Sequence, residues 1–165
     1  MAQTTETQRA ATQSMEAMGV VAPPPLLFGG ILMLGLTINR FLPVPFMPRG
    51  TARLAGGFLG IAGLLLGGSA IREMRRAGTS PLPQKPTTAV VQTGPYSLTR
   101  NPIYVAMSMV YAGIATFANA LWPLLFLPAV LFEISRDMVE REEHYLELRF
   151  GEEYRQYRAR VRPWI

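Results

Sequence analysis

With 165 residues the chain has the length of one domain, and with no cysteine and a single histidine, His144, it excludes disulfides, thiolate chemistry and any multi-histidine metal site. Its net charge of +5 does not point to nucleic acid, because the arginines cluster beside hydrophobic runs and no basic groove with interleaved aromatics is present. Nor does the charge distribution suit a soluble domain: Ala17 to Asn39, Leu54 to Ile71 and Asn101 to Phe132 carry no charge at all. A bilayer's hydrocarbon core takes roughly 20 apolar residues per helix, so these runs predict integration into a membrane.

Taken in order, residues 1–16 are polar, lack the basic start and cleavage site of a secretory signal, and are expected to form a short disordered tail or a surface helix without an evident function. Ala17 to Asn39 is the first span. Pro23, Pro24 and Pro25 suit a first turn, which predicts a helix from about Pro25 to Arg40, followed by the Pro-rich connection Leu42 to Gly50. Leu54 to Ile71 is the second span. Its Gly56, Gly60, Gly63 and Gly67 make two GxxxG spacings, read as close helix packing within one chain rather than dimerisation.

Asn101 to Phe132 as one helix would run about 48 Å, against a hydrocarbon core of about 30 Å. The sequence Asn119-Ala-Leu-Trp-Pro123 resolves this, since Pro123 suits a helix start and Trp122 the interface. The reading is a hairpin: a third helix from about Pro102 to Phe117, and a fourth from about Trp122 that continues through the charged run beyond Phe132. Arg72, Arg75, Arg76, Lys85, Arg100 and the C-terminal set fall on one side, which the positive-inside rule makes cytoplasmic. Arg40, Arg49 and Arg53 fall on the other.

Three stretches carry usable chemistry. Glu133, Arg136, Asp137, Glu140, Glu143, His144 and Glu147 recur at three- and four-residue steps, which predicts one stripe on a helix. A solvated surface helix accounts for Glu147 and Arg141, but poorly for Glu133, which follows PLLFLPAVLF; the block from Glu133 to Glu143 is read as a polar pocket. TGPYSLTRNPIY, from Thr93 to Tyr104, pairs a Gly94-Pro95 turn with the helix start at Asn101-Pro102, and its Arg100 fork suits a carboxylate or phosphate. From those residues alone, an ordinary juxtamembrane arginine beside a capping Asn explains the stretch better. FGEEYRQYRARVRPWI, with Glu153, Tyr154, Tyr157, Arg160 and Trp164, reads equally as an interfacial anchor or as a lid of aromatic faces.

In order and spacing, GTSPLPQKPTTAVVQTGPYSLTRNPIY, the pair Glu142-Glu143 and FGEEYRQYRARVRPWI resemble the integral-membrane methyltransferases that include isoprenylcysteine carboxyl methyltransferases and phospholipid N-methyltransferases. The resemblance covers roughly residues 78–165. It implies an all-α integral-membrane fold of four transmembrane helices, with a cytoplasmic C-terminal helical segment forming a pocket for S-adenosyl-L-methionine. The chain would be one domain: a tail over 1–16, two spans over 17–77, and the catalytic loop, two further spans and cofactor-binding segment over 78–165.

Carried over by position, Gly94, Pro95, Tyr96, Arg100, Asn101, Pro102, Tyr104, Glu142 and Glu143 would surround the cofactor. Arg100 and Glu143 would be catalytic, and Glu133, Arg136, Tyr154 and Tyr157 would meet the substrate. Many members carry His where this chain has Asn101, which hydrogen-bonds but cannot change charge near neutral pH. The implied partners are membrane lipids and a lipophilic acceptor from the bilayer, an isoprenylcysteine-like carboxylate or another lipid carboxylate or amine, with neither metal nor nucleic acid. The implied location is a multi-pass membrane protein whose site faces the cytoplasm, in the inner membrane if the cell is prokaryotic. The rival from a different class is a non-catalytic scaffold whose charged helix docks a partner. A sterol-reductase-type enzyme would need a nicotinamide site for which the chain is short.

Overall fold

The computed structural model describes residues 23–80 and 87–164. The polar tail, the first residues of the leading uncharged run and Lys85 lie outside the described residues. The described residues are helical, with no strand among them: α1 Pro24–Phe41, α2 Arg49–Arg76, a 3₁₀ turn Gly94–Ser97, α3 Pro102–Phe117, α4 Leu121–Ile134, a π turn Ser135–Val139, α5 Glu140–Phe150 and α6 Glu152–Arg160. Proline opens α1 and α3 in their first turns, where its missing N–H costs no helical bond. The predicted starts at Pro25 and Trp122 are each off by one residue, within ordinary fraying.

Close backbone contact, made possible by glycine, sets the packing. α2 lies along α3 through Gly56, Gly63 and Gly113. A Cβ on Gly113 would sit 2.6 Å from the Gly60 nitrogen, and one on Gly63 2.9 Å from the Ala106 carbonyl oxygen. The glycine spacings therefore serve packing within the chain, as expected. On the other side, Gly35 of α1 abuts Pro123 of α4, where a Cβ would meet the ring at 2.8 Å. Phe28, Tyr111, Val130, Ile134 and Val139 fill the space between α1, α3, α4 and the π turn. Phe28 meets Tyr111 edge to face, and the Tyr111 hydroxyl donates to the Pro123 carbonyl at 2.9 Å.

The outside of the bundle is apolar. On α2, Leu54, Phe58 and Leu65 are 79%, 77% and 70% exposed, a face that water would not tolerate over such a length. α1 and α2, with 18 and 28 residues, are long and apolar enough to cross a membrane. α3 and α4, with 16 and 14 residues, are shorter than that by themselves. The fourth helix does run on into the charged stretch, but through a π turn, and it ends at Gly151, whose φ of 54° a side chain would resist.

At the end of the bundle where α3 turns into α4, one side chain ties two loops together. Asn119 accepts from the amides of Phe46 and Met47 and donates to the Met47 carbonyl, while the Trp122 indole donates to the Leu42 carbonyl.

Gly113→Ala and Gly56→Ala are each expected to destabilise the detergent-solubilised protein by about 1–3 kcal/mol, read as a lower melting temperature. Gly57→Ala, which meets only open space in a helix interior, is expected to leave stability unchanged or raise it by up to about 1 kcal/mol. Equal effects at the three positions would contradict the packing described.

Candidate functional site

The three chemically equipped stretches meet at the end of the bundle away from Asn119. Arg100 follows the 3₁₀ turn and precedes α3, and there it pairs with Glu143 of α5 at 3.0 Å. Both side chains are nearly buried, 8% and 13% exposed. The contact is ionic without a well-directed hydrogen bond: Nε and Nη1 of Arg100 and Oε1 of Glu143 are buried with no hydrogen-bond partner. Buried donors left unmatched cost about 1–3 kcal/mol each, so the pair holds unspent capacity for a ligand that offers oxygens to the guanidinium. Arg158 of α6 approaches the other Glu143 oxygen at 3.6 Å and binds Glu147 at 3.0 Å.

Aromatic side chains wall this pair. Tyr154 and Tyr157 turn inward from α6, 1% and 4% exposed, and contact each other edge to face. The Tyr157 hydroxyl donates to the Tyr96 carbonyl at 2.7 Å, joining α6 to the 3₁₀ turn. Burial pushes the Tyr157 phenol up to about 12, so it remains a donor throughout the ordinary pH range. Burial also raises Tyr96 and Tyr154. The aromatic C-terminal segment is thus a cover for Arg100 and Glu143.

Glu142 reaches the Tyr104 hydroxyl at 3.5 Å, a long contact in which the phenol donates. The residue keeps contact with solvent while protein atoms crowd its carboxyl. Burial raises its carboxyl above the ordinary value, the neighbouring Glu143 charge adds to that, and the Tyr104 bond opposes it.

Two further devices hold the site. Gly94 adopts φ 59°, and a Cβ there would press on Glu73 Cγ at 2.9 Å. The Glu73 carboxylate in turn accepts from the Thr93 hydroxyl at 2.8 Å, tying the loop to the end of α2. The second is a C-terminal strap. The Arg100 amide donates to the Arg162 carbonyl, and the Thr99 hydroxyl and the Asn101 side-chain amide both donate to the Pro163 carbonyl.

The structure therefore brings Tyr96, Arg100, Tyr104, Glu142, Glu143, Tyr154 and Tyr157 into one cluster, with Gly94 and Pro95 in its turn and Pro102 at the start of α3. Asn101 belongs to the strap, its amide nitrogen already engaged. Glu133 and Arg136 are exposed and share no ion pair or hydrogen bond with the cluster among the described residues. The wider repeat of the π turn shifts the helical phase between them and Glu143, so the predicted stripe does not continue as a single face. Thr99 and Arg158 were not among the predicted residues. Arg158 follows Tyr154 by four, the spacing that places both on one helical face, and that signal was available. Thr99 had none, because its partner is a backbone carbonyl remote in sequence.

Helices with an apolar exterior, and a buried charged pair beneath aromatic side chains at one end of the bundle, are the features of a membrane protein. A family model described as phospholipid methyltransferase matches residues 51–153, well over half of the chain. The chain belongs to that family, within the isoprenylcysteine carboxyl methyltransferase-like group of membrane methyltransferases. It is also similar to an uncharacterized protein of Haemophilus influenzae, 43% identical over 44 residues that cover 26% of this chain and 70% of the other. No solved structure matches the chain. Membership makes the chain a membrane methyltransferase and does not favour the scaffold reading.

Glu143→Ala leaves Arg100 buried without its counter-charge and is expected to cost about 3 kcal/mol, seen as a lowered melting temperature. Glu143→Gln, which keeps an acceptor, is expected to cost less. Glu142 has a raised folded-state pKa, so its contribution to stability is present below the ordinary value of 4.5 and lost as pH rises through the folded value. The ligand-free protein is therefore expected to lose melting temperature from acid toward neutral pH relative to Glu142→Gln. Parallel pH profiles would contradict the assignment.

Proposed function

We propose that the chain transfers a methyl group from S-adenosyl-L-methionine to a lipophilic acceptor drawn from the bilayer, at a site facing the cytoplasm at one end of a four-span bundle. The observation that carries the reading is the buried guanidinium of Arg100 with Nε and Nη1 unmatched. A planar fork of that kind suits the carboxylate of an amino-acid head group better than a lone ammonium would. S-adenosyl-L-methionine, when bound, supplies an electrophilic methyl group on a sulfonium centre. Around it this chain offers what such a ligand requires: Arg100 for the carboxylate, Glu142 and Glu143 for positive charge, and the Gly94-Pro95 turn for close approach to backbone. Tyr96, Tyr104, Tyr154 and Tyr157 exclude water, and Asn101 keeps the strap over the site. Transfer of a methyl group is a displacement that depends on positioning, and fixed walls provide that.

The acceptor's route is suggested by an apolar groove of about 310 Å³ beside the cluster, lined among others by Leu59, Val105, Met109, Leu131 and Trp164. Ser108, also in its lining, lies one turn from Tyr104 on the same face of α3, so a hydrocarbon chain in the groove would carry its polar end toward Tyr104 and its partner Glu142. A lipid carboxylate as acceptor needs no base; a lipid amine gives up a proton, which the Glu142 carboxylate is placed to take. The four-span reading has α3 and the continuous run of α4 and the π turn crossing, with the charged α5 emerging on the cytoplasmic side. Arg72, Arg75, Arg76 and Arg100 then lie on the cytoplasmic side.

Calorimetric titration of the detergent-purified protein with S-adenosylhomocysteine is expected to give micromolar binding. Arg100→Ala should weaken it at least about thirtyfold, the worth of one or two charge-assisted hydrogen bonds. Incubation with radiolabelled donor and a total lipid extract should label a lipid. Absence of heat at high micromolar ligand, or an unchanged affinity in Arg100→Ala, would contradict the reading.

A further inference from the structure

We propose that the opposite end of the bundle holds a site for the phosphate headgroup of an anionic phospholipid, bound by Arg49 and Arg53. This site is separate from the methyltransferase site and does not depend on it. A cavity of about 410 Å³ opens between the first turns of α2 and the α3–α4 turn, lined by Arg49, Arg53, Phe117, Ala118 and Asn119. Arg49 and Arg53 lie one helical turn apart and so present both guanidinium groups on one face. That face continues the seam on which Gly56 packs against the end of α3, so both arginines extend beyond Phe117 over the turn.

Neither arginine has an ion pair or a hydrogen bond among the described residues. No partner is supplied by the sequence nearby, because between Ala17 and Ile71 and between Asn101 and Phe132 there is no Asp or Glu. Their position is doubly adverse. They stand in the first two turns of a helix whose N-terminus is already positive and carries no side-chain cap, and in the orientation proposed above they lie on the side that membrane proteins usually keep poor in arginine. An anion with several oxygens offsets both costs, and two planar forks match a phosphate.

The surroundings select a lipid rather than a soluble phosphate. Phe117 in the cavity wall is 54% exposed, and Leu54 and Phe58, within two turns of Arg53, are 79% and 77% exposed, which gives acyl chains an apolar surface beside the charge. The Trp122 indole at the same end bonds the Leu42 carbonyl, a placement typical of the headgroup level. Asn119, engaged with Phe46 and Met47, holds the cavity wall in place.

Native mass spectrometry of the full-length protein in detergent, titrated with phosphatidylglycerol, diacylglycerol or inorganic phosphate, tests this. Phosphatidylglycerol is expected to bind at least about tenfold tighter than diacylglycerol. Arg49→Gln with Arg53→Gln should remove that preference. Ala118→Glu, which sets a carboxylate in the cavity and leaves both arginines intact, should remove it as well. Arg72→Gln with Arg75→Gln, the same loss of charge at the other end, should leave the preference intact. Equal weakening by both double variants, equal binding of diacylglycerol, or displacement of the lipid by inorganic phosphate at matched concentration would overturn the assignment.

Discussion

Everything at the candidate site depends on a buried arginine being left incompletely matched. Arg100 is held against Glu143 with two of its donor nitrogens unpartnered, in a place where water is excluded by Tyr154 and Tyr157. A protein selected only for stability would replace such a pair with apolar side chains or complete its hydrogen bonds. The unmatched donors are the physical reason to read the pair as half of a binding site, and membership in the phospholipid methyltransferase family is why that site is proposed to take a methyl donor.

The rest of the fold can be understood as what keeps those two groups in register. Arg100 sits on the short segment between the 3₁₀ turn and α3, which alone would be mobile. Four ties fix it. Tyr157 holds the carbonyl of Tyr96, the strap takes the Arg100 amide, Thr99 and Asn101 share the Pro163 carbonyl, and Thr93 bonds Glu73 at the end of α2. Glu143 is presented by a helix that first passes through a π turn, a local defect of the kind that recurs at functional sites because it re-aims side chains without ending the helix. At the far end, Asn119 and Trp122 close the bundle, and the glycine seam between α2 and α3 lets the whole assembly pack at backbone distance.

Much of this was legible in the residues. Prolines at helix starts and the Asn119–Pro123 punctuation place the starts of α1, α3 and α4 to within a residue, because each rests on a local steric rule, whereas α2 runs five residues beyond its uncharged stretch Leu54 to Ile71 at each end. Arg100, Glu142 and Glu143 were legible through the family resemblance and only weakly by themselves. What local rules could not reach was the π turn, since no residue in SRDMV demands it, and it is this turn that separates Glu133 and Arg136 from the cluster. The role of Asn101 was equally hidden. Its substitution for the common His reads as a change of chemistry, whereas here its amide holds the Pro163 carbonyl of a chain segment remote in sequence. The apparent misplacement of Arg49 and Arg53 was visible as a departure from the usual charge asymmetry; the cavity that gives it a meaning was not.

The central claim is that the unmatched donors of the buried Arg100 guanidinium receive the carboxylate of the methyl donor. An experimental structure of the protein in complex with S-adenosylhomocysteine tests it most directly. The account predicts the ligand's carboxylate on Nε and Nη1 of Arg100, its ring system beneath the tyrosines of α6, and the Arg100–Glu143 contact retained. A ligand bound elsewhere, with both nitrogens of Arg100 still unmatched, would contradict it.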